Sequence, residues 1–147
     1  MLTADDGMAI EVLLVEDDPG DVLLTQEGLE QSKVLHHLTV VPDGEAALDH
    51  LRSVSPKPAL VFLDLYLPRL GGREVLRQIR ADASMGDVRV VILTTSKSEE
   101  ERLRASALGA DGYVRKPVGL ESFVEVVRQI GEFFFGVVRA DPWADAG

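Results

Sequence analysis

The stretch Ala59-Leu60-Val61-Phe62-Leu63-Asp64 is five apolar residues closed by one acid. Its apolar part is continuous rather than alternating, which reads as a strand covered on both faces. Similar runs rich in Val, Ile and Leu occur at Ile10–Val15, Leu38–Val41 and Val88–Leu93, with a short one at Tyr113-Val114. Polar residues close three of these as well. Glu16-Asp17 follows Val15, Thr94 follows Leu93, and Lys116 comes two residues after Val114. If the runs are parallel strands, these ends converge on one rim holding three carboxylates, a hydroxyl and an ammonium.

Helical patterns fill the intervals. Ala47, Leu48 and Leu51 share one face behind a possible N-cap at Asp43, and Val75, Leu76 and Ile79 repeat the spacing. Ser96 and Glu99 suggest a capping box ahead of Leu103 and Ala107. The first helix is expected from about Gly20 to Lys33, with Val22, Leu23 and Leu29 facing inward, and the last from Leu120 to Val138. Pro56 and Pro58 break the chain before the third strand. Strand and helix alternate five times, which predicts an α/β, doubly wound five-stranded parallel sheet with helices on both faces. Such sheets bind ligands beyond the C-terminal ends of their strands. The expected organisation is one domain over 10–138, an N-terminal extension over 1–9 and a tail over 139–147.

The bulk numbers narrow the classes. The chain has 147 residues, 46% hydrophobic and 27% charged, which suits one core without staples. It has no cysteine, so disulfides, thiol catalysis and cysteine-based zinc sites are excluded. A net charge of −10 disfavours nucleic acid, whose affinity rests on phosphate contacts. No apolar stretch reaches the ~20 residues that span a bilayer, and the first ten residues do not resemble a signal peptide. The expectation is a cytoplasmic protein that binds neither membrane nor nucleic acid.

Three consecutive acids, Glu16-Asp17-Asp18, can simply be an exposed turn before Pro19-Gly20. The second acidic strand end, Asp64, points instead to a shared cleft. Clustered carboxylates require a counter-charge. Mg²⁺ favours one or two carboxylates with waters and a phosphate. Asp17 and Asp64 suit that role, with Glu16 acting through water and Lys116 adding a second positive charge.

These residues carry a resemblance. Val15-Glu16-Asp17-Asp18, Leu63-Asp64-Leu65-Tyr66-Leu67-Pro68 with Gly71-Gly72, Leu93-Thr94-Thr95, and Gly109-Ala110-Asp111-Gly112-Tyr113-Val114-Arg115-Lys116-Pro117 together resemble a response regulator receiver domain. The likeness covers Ile10 to Val138 and implies a flavodoxin-like (βα)5 fold. Thr94-Thr95-Ser96 and the Phe-rich last helix are similar to the stand-alone, phytochrome-associated members. The resemblance implies that Asp64 is the phosphoacceptor for a sensor histidine kinase. It implies Mg²⁺ on Glu16, Asp17, Asp64 and the Tyr66 backbone carbonyl. It also makes Thr94 and Tyr113 a switch pair, Lys116 the counter-charge, and Pro117 the site of a cis peptide bond. Glu16 replaces the commoner Asp, and Tyr66 and Thr95 are larger than the usual residues.

No output domain follows in this sequence, so signalling is expected through protein contacts or phosphotransfer to a downstream partner. In the last helix, Phe123, Val127, Ile130 and Phe134 form one stripe expected to face the sheet. That leaves Val126, Phe133, Phe135 and Val137 for a homodimer interface. Competing readings are a degenerate receiver acting as a binding module and an Mg²⁺-dependent phosphatase-like enzyme with an Asp nucleophile. The latter class places a second Asp two residues after the first, where this chain has Tyr66. A nucleotide-binding domain lacks its Gly-rich phosphate loop here.

Overall fold

The structure is a computed structural model and describes residues 9–135. Elements alternate as β1 (Ile10–Val15), α1 (Pro19–Gln31), β2 (His36–Val41), α2 (Gly44–Ser53), β3 (Leu60–Leu63), α3 (Gly72–Ala81), a 3₁₀ turn (Ala83–Met85), β4 (Arg89–Thr94), α4 (Glu99–Ala107), β5 (Gly112–Arg115) and α5 (Leu120–Phe135). The five strands form one parallel sheet in the order β2-β1-β3-β4-β5. The order reverses between β1 and β3, so the switch point lies between the strands that end at Glu16 and Asp64.

Alternation along the strands builds two cores. Leu13, Val15, Val61, Leu63, Val90 and Ile92 face α2, α3 and α4, while Val12, Leu14, Leu60, Phe62, Val91 and Leu93 face α1 and α5. Leu60, Val61, Phe62 and Leu63 of β3 are all 0% exposed. Each such side chain is worth about 1.5–3 kcal/mol of transfer free energy, and this central strand anchors Asp64. The expected stripe of the last helix is confirmed in Phe123, Val127 and Ile130, all buried against the second core, with Phe134 packed at its edge.

Helix ends follow side-chain chemistry. Asp18 caps α1 by accepting from the Gly20 amide at 2.9 Å, and Asp43 caps α2 by accepting from Ala46 at 2.8 Å. Two glycines set close approaches. A Cβ on Gly72 would sit 2.1 Å from the Asp64 carbonyl oxygen, so only glycine lets α3 begin against the acidic strand end. A Cβ on Gly28 would meet the Val127 Cβ at 2.5 Å, so α1 and α5 pack nearly backbone to backbone.

Several expectations are corrected. Leu23 points outward and is 66% exposed, because the inner stripe of α1 runs through Val22, Thr25 and Leu29 and leaves Leu23 one helical step around. The cap of α4 is Ser98, which accepts from the Glu101 amide at 3.1 Å, rather than Ser96. That helix buries Ala105 and leaves Leu103 and Ala107 exposed, a face the sequence does not assign. Val126 is half-buried against the second core rather than turned outward. The peptide bond before Pro117 is not cis. Among the described residues only Ser55–Pro56 is, in keeping with the trans preference of about 0.5–1 kcal/mol at X-Pro bonds. Phe133 is exposed as expected, its ring edge-on to Phe134 at 4.8 Å. The Phe135 side chain and Val137 lie outside what the structure describes.

Candidate acidic functional site

The sheet brings the polar strand ends together. Glu16 follows β1 and is 4% exposed, Asp64 follows β3 and is 9% exposed, Thr94 ends β4 at 0%, and Lys116 follows β5 at 8%. Asp17, next to Glu16 in the chain, is exposed to solvent. Lys116 Nζ is the hub. It donates to Glu16 Oε1 at 2.7 Å, to Asp21 Oδ2 at 2.7 Å and to Asp64 Oδ2 at 3.0 Å. An ammonium has three protons, and all three are used.

Electrostatics explain the grouping. Burial alone would lower the Lys116 pKa, but the hydrogen bonds to Asp21, Glu16 and Asp64 override it and hold the ammonium well above the ordinary lysine value. Burial pushes the Glu16 carboxyl above its usual value, against the pull of Lys116. Three carboxylates therefore share one cation, and the rim keeps an excess of negative charge.

Asp64 is fixed at both oxygens. Oδ1 accepts from the Tyr66 amide at 3.0 Å while Oδ2 meets Lys116. The loop that follows is pinned where the Gly72 amide donates to the Leu65 carbonyl at 3.0 Å. Thr94 is held from both sides. Its carbonyl accepts from the Lys116 amide at 2.6 Å, and its hydroxyl accepts from the Ser96 amide at 3.3 Å. Tyr113 is half-buried against the first core, and its buried hydroxyl has no hydrogen-bond partner among the described residues.

Two participants escaped sequence reasoning. Asp21 reaches Lys116 from the first turn of α1. The helix start near Gly20 was the available signal, since it places residue 21 at the rim. Glu101 on α4 collects the Tyr66 hydroxyl at 2.6 Å, the Ser96 hydroxyl, and Arg73 at 3.6 Å. Hydrogen bonds from Ser96 and Tyr66 hold its carboxyl below the usual range. Nothing in the sequence signals a contact across 35 positions.

The donor set is all oxygen, which suits a hard divalent cation. Among the described residues no three acids or histidines are arranged around a single metal point. Mg²⁺ typically takes one or two carboxylates with several waters, so a shell completed by water needs no three-acid cluster. No helix among the described residues is long and apolar enough to cross a membrane.

Comparison with known proteins identifies the family of the fold. The response regulator receiver domain profile matches residues 12–128. Response regulator Rcp1 of Synechocystis sp. is 36% identical over 132 residues, spanning 86% of this chain and 90% of Rcp1. The crystal structure of the phosphorylated cyanobacterial phytochrome response regulator RcpA superposes with a TM-score of 0.82 at 35% identity, covering 86% of this chain and 94% of RcpA. The Mn²⁺-bound form of Rcp1 gives 0.82 at 35% identity, over 87% of this chain and 96% of that one. With its five-stranded parallel sheet and its acidic rim around Lys116, the chain belongs to the response regulator receiver domain family of two-component signalling.

Proposed function

We propose that this protein is a stand-alone response regulator that accepts a phosphoryl group on Asp64 from a sensor histidine kinase, with Mg²⁺ bound at Asp17, Asp64, the Tyr66 carbonyl and, through water, Glu16. The observation that carries the reading is the 3.0 Å contact between Lys116 Nζ and Asp64 Oδ2 at the buried end of the central strand. That contact gives a nucleophilic carboxylate a cation able to follow the charge it acquires. In the reaction a P–O bond forms at Asp64 as the P–N bond to the kinase imidazole breaks, and the imidazole nitrogen takes up a proton. Bound Mg²⁺ would neutralise phosphoryl oxygens, and the chain's own part is positioning.

Thr94 and Tyr113 serve as the readout. The Thr94 hydroxyl leaves its Ser96 contact for a phosphoryl oxygen. The unpartnered Tyr113 hydroxyl, a buried group worth about 1–3 kcal/mol in lost hydrogen bonding, gives that ring a reason to change rotamer. The relatives Rcp1 and RcpA, the second described as a phytochrome response regulator, support a bacteriophytochrome as the kinase. A homodimer through the last helix uses Phe133 with Phe135 and Val137. Val126 contributes less, being spent partly on the core. Light scattering that shows a monomer with and without phosphate would remove the dimer from this account.

The deciding assay incubates the protein with acetyl phosphate and Mg²⁺ and follows intact mass. Wild type gains one phosphoryl group, Asp64→Asn gains none, and omission of Mg²⁺ abolishes labelling. Sustained acetyl phosphate turnover by Asp64→Asn would overturn the assignment, as would an unlabelled wild type at every Mg²⁺ concentration.

A further inference from the structure

Asp21 belongs to none of the strand ends that define the site, yet its Oδ2 lies 2.7 Å from Lys116 Nζ, as near as Glu16 and nearer than Asp64. Its side chain is 22% exposed and that of Lys116 is 5% exposed, so the contact is largely removed from water. An acid in the first turn of a helix often serves the helix itself. Here the capping role is taken by Asp18, which holds the Gly20 amide, and the Asp21 carboxylate is turned to the lysine.

The three acceptors of Lys116 differ in what phosphorylation would do to them. Asp64 changes chemically, because its carboxylate becomes an acyl phosphate. Glu16 and Asp21 do not, and they come from different elements, the end of β1 and the first turn of α1. Two fixed acceptors leave the third donor of the ammonium free to change partner. With one fixed acceptor the ammonium can swing away from the reaction axis. Glu16 is itself anchored, its second oxygen accepting from the Asp18 amide at 3.2 Å, but it holds only one of the three donors.

We infer that Asp21 is a positioning residue for phosphoryl transfer. Together with Glu16 it holds the Lys116 ammonium so that one donor serves Asp64 before transfer and a phosphoryl oxygen after it. The inference rests on Asp64 being the phosphoacceptor.

The sign of the effect separates this role from a charge effect. Removing an anion beside an incoming phosphoryl group should speed labelling if charge were all that mattered. Loss of positioning should slow it. The experiment compares acetyl phosphate labelling rates of wild type, Asp21→Ala and Asp21→Asn at saturating Mg²⁺, with circular dichroism melts confirming the fold. Asp21→Ala is expected to label about tenfold more slowly, as for a misplaced catalytic group. Asp21→Asn, whose amide oxygen still accepts a hydrogen bond, should recover much of the rate. Should Asp21→Ala not fold, Asp21→Ser, too short to reach the ammonium, takes its place in the comparison. Equal or faster labelling by the truncated variant overturns the inference, as does an equal loss in Asp21→Ala and Asp21→Asn. A wild type labelled on Asp64 alongside an unimpaired Asp21→Ala sinks this inference alone. An unlabelled wild type sinks the phosphoacceptor reading and this inference with it.

Discussion

Two cations sit at opposite ends of the sheet and are held in different ways. At the C-terminal rim, Lys116 is surrounded by three carboxylates. At the N-terminal ends of β4 and β5, Arg80 of α3 donates to the Gly109 carbonyl at 2.9 Å, the Val88 carbonyl at 2.8 Å and Asp111 Oδ2 at 2.7 Å. Asp111 in turn accepts from the Val90 amide at 2.7 Å. The arginine fork is satisfied by one carboxylate and two backbone carbonyls, groups that no reaction alters. It is a staple between α3, β4 and the turn before β5. The lysine is matched to an excess of anions, one of which can be exchanged. In this chain the cation that staples the fold is balanced largely by backbone, and the one at the proposed transfer site is outnumbered by acids.

Substitution at each end tests that contrast. The largest effect is expected from Lys116→Met. Loss of the Lys116 ammonium at the proposed transfer site should slow acetyl phosphate labelling about a hundredfold, read as a mass-spectrometric time course. Denaturant melts should also show a loss of about 3–5 kcal/mol, because buried Glu16 loses its partner. Arg80→Ala should do the opposite kind of damage. Three charge-assisted hydrogen bonds disappear and stability falls by about 2–3 kcal/mol, while the labelling rate of the folded protein stays at the wild-type value. If labelling falls in step with stability, the two ends are not separable. Gly72→Ala is expected to touch both properties. Its Cβ would press on the Asp64 carbonyl at 2.1 Å, costing about 1–3 kcal/mol by overpacking and displacing the nucleophile, so melts and labelling should worsen together.

The smallest effect concerns exposed ion pairs, which stand at neither end. Glu125 is held down to about 2 by Arg128 and then Gln129, and Glu74 to about 2 by Arg77 and then Gln78. A carboxyl depressed in the folded state contributes stability above its unfolded value of 4.5, and that contribution is lost as pH falls toward 2. Glu125→Gln should therefore flatten the acid limb of the melting profile slightly, and added salt should mimic it.

Much of the fold was legible because buried parallel strands write themselves as unbroken apolar runs. The rim was legible because each run stops at a polar residue, and Glu16, Asp64, Thr94 and Lys116 do meet there. What escaped was of two kinds. Leu23 and Val126 were misjudged because a helical face is known only to within about one residue step. Asp21 and Glu101 were missed because their partners lie 95 and 35 positions away. The helix start near Gly20 puts residue 21 at the rim, but its grip on Lys116, like that of Glu101 on Tyr66, is a property of the folded rim. The bond before Pro117 belongs to the same class, since isomer choice depends on tertiary surroundings.

The missing side chain at Gly28 has a wider consequence. With α1 and α5 in near contact there, neither helix can shift sideways without carrying the other. Asp21 lies near one end of α1 and grips the residue just before the loop into α5. The pair therefore forms a bracket, tied at the charged rim by one ion pair and drawn together at one crossing by an absent methyl. Any surface presented by the last helix inherits its spacing from that bracket. A change of occupancy at the ammonium would be met by a lever rather than by a soft hinge.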